Sequence, residues 1–331
     1  MERRRANKLL LLVGSNPLPN YLAAIVLEPR EVVLLYSPET VPQRDCLREA
    51  LQARSPAPAV SVVSVEDATD ARQVRDACAS LTVDHLHYSG GTKTMAAHAR
   101  QAIEIRDDQA SYLDERHGRL RFDDQVDVYL DRLQLALTLD TVLTLHGLKR
   151  IGQPAAISPE KAQRIAADVL HNPKAAHERY EGDGGWLEQW TANQIRSATG
   201  LTPETNVHCE RTPQPGMPRA QLEVDVALLK GHRMYVISCT TSRNRAVCKG
   251  KLFEVAVRAR HLGGDLARSA LVCLLDGSDA AGDYVEQLRS HIASVWDAPN
   301  QPEVFGLRDL REWVGIDGAA DLTTLREWLD R

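Results

Sequence analysis

The chain has 331 residues, of which 43% are hydrophobic and 26% charged, with a formal net charge of -5. That length predicts two domains, each able to bury its own core. The mild acidity excludes a protein that holds nucleic acid by bulk charge, although a local basic groove stays open. No run approaches the ~20 apolar residues of a membrane span, and "MERRRANKLLLLV" passes into "GSNPLP" without a small-residue cleavage site, so it reads as a first strand. Six cysteines (Cys46, Cys78, Cys209, Cys239, Cys248, Cys273) form no C-x-x-C pair. They predict reduced core thiols and a cytoplasmic protein.

In chain order, "KLLLLVG" (8–14) and "EVVLLYS" (31–37) are short apolar runs of the kind a parallel sheet buries on both faces. "NPLPNYLAAIVLEP" between them predicts a loop entering a helix. Then come helix "TVPQRDCLREALQAR", strand "AVSVVSV", helix "ATDARQVRDACASL" and strand "VDHLHYS". This β-α-β-α-β-α-β order is the signature of a doubly wound α/β domain, in which ligands sit beyond the carboxyl ends of the strands. Two loops fall there, "GSNPLPN" and "SGGTKT". The second is not a Walker loop: Lys93 follows Thr92 rather than a glycine, and Leu86 stands where the pattern needs its first glycine. It predicts either a glycine turn capped by Thr92 or Thr94, or a helix N-terminus that favours an anion.

Glycines and prolines in "GLKRIGQPAAISPE" and "YEGDGG" mark a boundary. The expected division is a first domain over 1–148, a linker and helix over 149–184, and a second domain over 185–331. The second domain reads helix "WLEQWTANQIRSAT", strands "TNVHCERT", "LEVDVALLKG" and "RMYVISCTT", helix "KGKLFEVAVRARHLG" and strand "SALVCLL". Alternation sends Leu222, Val224 and Val226 to one face of the second strand and Glu223 and Asp225 to the other. Paired carboxylates repel unless solvated, protonated or bridged by a cation. On the next strand Ser238 and Thr240 share one face, Ile237 and Cys239 the other. Lys251 and Glu254 lie three apart on the following helix, either as a surface pair continued to Arg258 or as part of a Mg²⁺- or Mn²⁺-dependent phosphodiesterase centre.

The second half, with Glu188 on its first helix, "EVD" on its second strand and "ISCTT" on its third, resembles a PD-(D/E)xK nuclease core. The first half, with "GSNP" after strand one and "SGGTKTMA" after strand four, resembles a CARF domain, the sensor of cyclic oligoadenylates in type III CRISPR defence. Together they resemble the ancillary effectors that join these two domains. The resemblance implies a homodimer that binds a cyclic oligoadenylate, most often the four-adenylate ring, across its two-fold axis. Gly14, Ser15, Asn16, Ser89, Gly90, Gly91, Thr92, Lys93 and Thr94 are then the ligand-pocket residues. It also implies cation-dependent cutting of DNA or RNA, with Glu188, Glu223, Asp225, Lys251 and Glu254 as candidate catalytic residues and Asp225, Glu254 and Cys239 as candidate metal ligands.

The third strand departs from the family, having Ser238-Cys239-Thr240 where E-x-K is usual. Either Lys251 and Glu254 supply the missing ammonium and carboxylate from the adjacent helix, or catalysis is lost and a ligand-gated binding module remains. A third reading has the sensor pocket itself hydrolyse the cyclic ligand, assisted by Lys93 or Ser15. His85 and His87 alternate on one strand without a third ligand at readable spacing. Trp186 and Trp190 read as core, Arg243, Arg245 and Lys249 as a basic loop, and Trp313 and Trp328 as anchors of closing helices.

Overall fold

The computed structural model describes residues 4–152, 157–173, 180, 185–212, 221–297, 300–316 and 318–331. It divides into two compact units, Met1–Lys149 and Arg150–Arg331.

The first unit follows the order β1 (Lys8–Leu12), α1 (Leu18–Leu27), β2 (Glu31–Tyr36), α2 (Val41–Gln52), β3 (Ala59–Ser64), α3 (Ala71–Ala79), β4 (His85–His87) and α4 (Lys93–Ala102). β5 (Ala110–Asp114), β6 (Arg119–Phe122), β7 (Asp127–Tyr129) and α5 (Leu139–Leu145) complete it. Its seven strands lie in the order β3-β2-β1-β4-β5-β6-β7. The first five are parallel, and β6 and β7 turn back as an antiparallel meander. The apolar runs of β1 and β2 are buried on both faces, as a sheet covered by helices on each side requires. β3 is the edge strand, and its Val62 is 40% exposed. Strand order reverses between β1 and β4, which lie side by side with Leu9 opposite His85 and Leu11 opposite His87. Such a reversal opens a crevice at the carboxyl ends of the two strands.

The second unit holds a six-stranded sheet in the order β15-β12-β11-β10-β9-β8. Its elements are β8 (Leu148–Arg150), α6 (Pro159–His171), α7 (Trp186–Thr199), β9 (Glu204–Arg211), β10 (Gln221–Lys230), β11 (Arg233–Thr240), α8 (Arg245–Gly263) and β12 (Arg268–Cys273). A two-stranded ribbon, β13 (Ser278–Asp279) with β14 (Gly282–Asp283), precedes α9 (Tyr284–Val295), β15 (Glu303–Phe305), α10 (Leu307–Val314) and α11 (Thr323–Asp330). β9, β10 and β11 are antiparallel, while β12 runs parallel to β11 and β15 parallel to β12.

One face of this sheet carries Val226, Leu228, Tyr235, Ile237 and Cys239 into a core shared with α6, α7, α10 and α11. Trp190 stacks on Trp313 there at 5.9 Å, and Trp328 meets Tyr235 edge-on at 5.2 Å. The expected core roles of Trp190, Trp313 and Trp328 are therefore met. The opposite face packs Leu271 and Cys273 against Cys248 and Leu252 of α8 and Ile292 of α9. α6, expected within the connecting segment, gives Ala162, Ile165 and Val169 to the second unit's core. The rest of that segment, 153–156, 174–179 and 181–184, lies outside the described residues.

Candidate functional sites

The crevice of the first unit is built from backbone. Leu12 ends β1, and its carbonyl accepts a hydrogen bond from Nδ2 of buried Asn20 at 2.7 Å. A Cβ on Gly90 would stand 1.9 Å from that carbonyl oxygen and 2.8 Å from Asn20 Nδ2, and one on Gly14 would stand 2.7 Å from the Gly91 nitrogen. Only glycine fits at Gly14 and Gly90, because the loops after β1 and β4 touch main chain to main chain. Gly91 has φ +70 and turns the chain into α4.

Several polar candidates there are already engaged. Asn16 Oδ1 accepts from the Leu18 nitrogen at 3.1 Å, and Ser89 Oγ accepts from the Leu113 nitrogen. Thr92 caps α4 by accepting from the Met95 nitrogen at 3.1 Å, while its hydroxyl donates to the Ala68 carbonyl at 2.8 Å. The side chains of Ser15, Thr94 and Lys93 make no hydrogen bond or ion pair among the described residues, and Ser15 and Lys93 are exposed. The capped-turn and anion-site readings thus describe different atoms of one loop: Thr92 closes the turn, and Lys93 stands free beside it.

The second site is a fork in the second sheet. β10 and β11 pair from Lys230–Arg233, across a turn at Gly231 (φ +63), to Val226–Ile237. Beyond that point the Asp225 carboxylate enters the ladder: its Oδ2 accepts from Ser238 Oγ at 2.9 Å and from the Cys239 nitrogen at 2.7 Å. Burial pushes the Asp225 carboxyl above its ordinary value, while these two hydrogen bonds and the Lys251 ammonium pull it back. Glu188, in the first turn of α7, is likewise pushed up, first by burial and then by the Asp225 and Glu223 carboxylates, with Lys251 opposing. Glu188, Asp225 and Lys251, drawn from a helix, a strand and a second helix, therefore share one electrostatic environment.

Other candidates stand differently. Glu223 is exposed, 3.6 Å from His208 Nε2, and its carbonyl accepts from Arg258 Nη1 at 2.7 Å. Arg258 Nη2 also donates to Glu254 Oε1 at 2.5 Å, and Lys251 Nζ lies 3.9 Å from Glu254 Oε2. Glu254 is thus held by Arg258 on an exposed helical face. Cys239, proposed from sequence as a ligand, lies on the core face, its Sγ 3.7 Å from Thr191 Oγ1, and burial pushes its thiol far up. A thiol kept protonated in an apolar core is no donor for a hard cation. Among the described residues no group of three or more His, Cys, Asp or Glu stands ready to hold a metal ion. Two carboxylates at the fork nevertheless fit Mg²⁺ or Mn²⁺, since Mg²⁺ commonly takes one or two carboxylates and keeps several waters.

No protein-family model and no curated protein matches this sequence. Solved structures do. Can2 of Sulfobacillus thermosulfidooxidans, solved in complex with cyclic tetra-adenylate, aligns over 93% of this chain and 96% of its own at 16% identity, with a TM-score of 0.68. Protein VC1899 of Vibrio cholerae aligns over 98% of each chain at 14% identity and a TM-score of 0.70. A type III CRISPR defence DNA nuclease activated by cyclic oligoadenylate aligns over 84% of this chain and 48% of its own at 21% identity and 0.61. The chain shares their fold. The fold class expected from sequence, an α/β chain of two units with a doubly wound parallel sheet in the first, is the one observed.

The remaining sequence candidates resolve into structural roles. His85 Nε2 and His87 Nδ1 meet the same Ser111 hydroxyl at 2.9 and 3.2 Å, and burial lowers their pKa values to about 4 and about 3. They are neutral core histidines. Arg243 pairs with Asp276 at 2.7 Å and Arg245 with Asp279 at 3.5 Å. Arg245 is also the first residue of α8, so the basic loop is shorter than expected; Asn244 caps that helix through the Ala246 and Val247 nitrogens. Sequence reasoning missed Asn20 and Asn206. Asn20 is signalled only by being a polar residue inside an apolar helix. Asn206 carries no signal in "ETNVHCER". No described helix is long and apolar enough to cross a membrane.

Proposed function

We propose that the protein is a nuclease switched on by a cyclic oligoadenylate, most often the four-adenylate ring. The first unit is its sensor and the second cuts DNA or RNA. The observation that carries this reading is the fork, where buried Asp225 is held by Ser238 and the Cys239 nitrogen and where the Glu188 and Asp225 carboxylates and the Lys251 ammonium act on one another electrostatically, although the third strand lacks E-x-K. The fold shared with Can2 and with the oligoadenylate-activated DNA nuclease supports the assignment.

In this mechanism Asp225 and Glu188 would hold a Mg²⁺ or Mn²⁺ ion, which supplies a Lewis acid for the phosphodiester and a more acidic bound water. The chain's own groups do the rest. Ser238 and the Cys239 N–H fix one Asp225 oxygen and leave the other free. Lys251 compensates negative charge growing on the phosphate as water adds and the phosphate–sugar oxygen bond breaks. Arg258 ties Glu254 to the Glu223 carbonyl and so fixes α8 to β10. Glu254 then acts by holding α8, and Lys251 alone replaces the missing lysine.

In the sensor unit, Gly14 and Gly90 let the loops after β1 and β4 pack main chain against main chain and Gly91 turns the chain into α4, while Ser15, Thr94 and Lys93 offer polar side chains to a ligand; Asn16, Ser89 and Thr92 shape the loops. A two-fold ring suits two such pockets meeting across a homodimer axis. The test incubates the protein with each cyclic oligoadenylate, Mg²⁺ or Mn²⁺, and labelled DNA and RNA. Cleavage only with ring and cation together is expected. Tight ring binding with no cleavage under either cation would instead mark a ligand-gated binding module, and linear adenylates in the same tubes would mark hydrolysis of the ring itself.

A further inference from the structure

The residue opposite Asp225 on β9 departs from strand geometry. Thr205 pairs with Val226 and Val207 with Val224, so Asn206 faces Asp225, and its φ is 52. A left-handed backbone inside a strand costs a non-glycine residue roughly 1–3 kcal/mol and persists where the surroundings impose it, often at a working site. Asparagine is among the side chains that best tolerate it. The bend occurs beside the place where β10 and β11 stop pairing, while on the other side of Asp225 the β9–β10 ladder skips one position and resumes at Val224–Val207.

The same bend turns the Asn206 side chain toward the start of α7. Asn206 Nδ2 and Glu188 Oε2 lie 3.5 and 3.8 Å from the point where a Cβ on Gly185 would sit. Gly185 itself has φ +83 and carries no side chain to fill that point. The carboxamide makes no hydrogen bond among the described residues. Asn206 thus stands at the ladder position opposite Asp225, and its neutral carboxamide shares the neighbourhood of Gly185 with the Glu188 carboxylate; a third carboxylate there would add repulsion.

We infer that Asn206 is a substrate-contacting residue of the fork, its Nδ2 donating to a backbone phosphate oxygen of the bound nucleic acid. This rests on the nuclease reading of the site. A neutral donor serves here because it adds a phosphate contact without displacing counterions.

Asn206→Gly separates side chain from backbone, since glycine adopts the same φ without strain. It should fold at least as stably as the parent while binding fluorescein-labelled DNA or RNA about tenfold more weakly, the scale of one hydrogen bond to a charged group. The KM for cleavage should rise in step, the oligoadenylate affinity should not move, and the salt dependence of nucleic-acid binding should keep its slope. Asn206→Ala, which also suffers the strained backbone, should show the same binding loss with a lower melting temperature. Unchanged nucleic-acid affinity and KM in Asn206→Gly overturn the inference. Asp225→Asn, run beside it, tells the failures apart: if Asp225→Asn is inactive while Asn206→Gly matches the parent, only the Asn206 role falls. If the parent binds nucleic acid and never cuts it, the nuclease reading falls, and the anisotropy measurement still decides Asn206.

Discussion

The two candidate sites sit at sheet discontinuities but are built from opposite materials. The crevice of the first unit is a reversal of strand order, lined by glycines and main-chain groups so close that a single methyl at Gly90 would strike the Leu12 carbonyl. The fork of the second unit is a break in strand pairing, lined by carboxylates that burial forces toward protonation. The first arrangement suits recognition: fixed main-chain dipoles, with the exposed Ser15 and Lys93 side chains beside them. The second suits chemistry, because its buried carboxylates hold free energy that a bound cation would release.

The comparison breaks first at the fork. Asp225→Asn should lower cleavage by about 100-fold or more, on the scale of losing a positioned catalytic group, while isothermal titration with the cyclic oligoadenylate stays as in the parent. Comparable cleavage in both proteins would remove Asp225 from the chemistry. Next comes the crevice. Gly90→Ala should destabilise the first unit by about 1–3 kcal/mol as an overpacked site, seen as a lower melting temperature with lost ligand binding and an intact second unit.

A smaller effect is expected at the crevice rim. Lys93→Ala should raise the oligoadenylate concentration needed for half-activation by about tenfold, roughly 1.4 kcal/mol, and leave the maximal cutting rate unaltered. A fall in maximal rate at saturating ligand would instead place Lys93 in the chemistry.

The mildest test uses the burial stress itself. Glu188 has its folded pKa raised above 4.5, so the folded state favours its protonated form, and that advantage is lost as pH rises through the folded value. Glu188→Gln should therefore be more stable than the parent at neutral pH, by a degree or a few in melting temperature, and the gap should close on acidification to pH 4. Cleavage by the parent should rise over the same interval as Glu188 ionises. A melting difference independent of pH would show that Glu188 carries no such stress.

Much of the fold is legible in the chain. Apolar runs alternating with helical segments mark β1 to β4 and α1 to α4, and that alternation prescribes a parallel, doubly wound sheet. The meander β5–β7 is harder to read, since "ASYLD" and "RLRF" carry charges that only a hairpin satisfies: Arg119 spans Asp114 and Asp127, and Arg121 meets Asp127 at 2.9 Å. Alternation groups Asp225 with Glu223 on one strand and Ser238 with Thr240 on the next, and strand pairing then sets Asp225 beside Ser238, where a hydrogen bond joins them. It says nothing of which distant group meets them, and of the two α8 candidates Lys251 acts on the fork while Glu254 turns to Arg258.

By itself, then, the sequence determined the two-unit α/β architecture, the glycine loops beyond β1 and β4, and the acidic second strand, because periodicity and turn chemistry act over a few residues. Only the tertiary structure decided that β1 and β4 are neighbours, that Glu188 and Lys251 come within electrostatic range of Asp225 from two helices, and that Asn206 bends β9 opposite it. Those are contacts between residues tens of positions apart, set by strand order and packing. No local pattern in the chain encodes them.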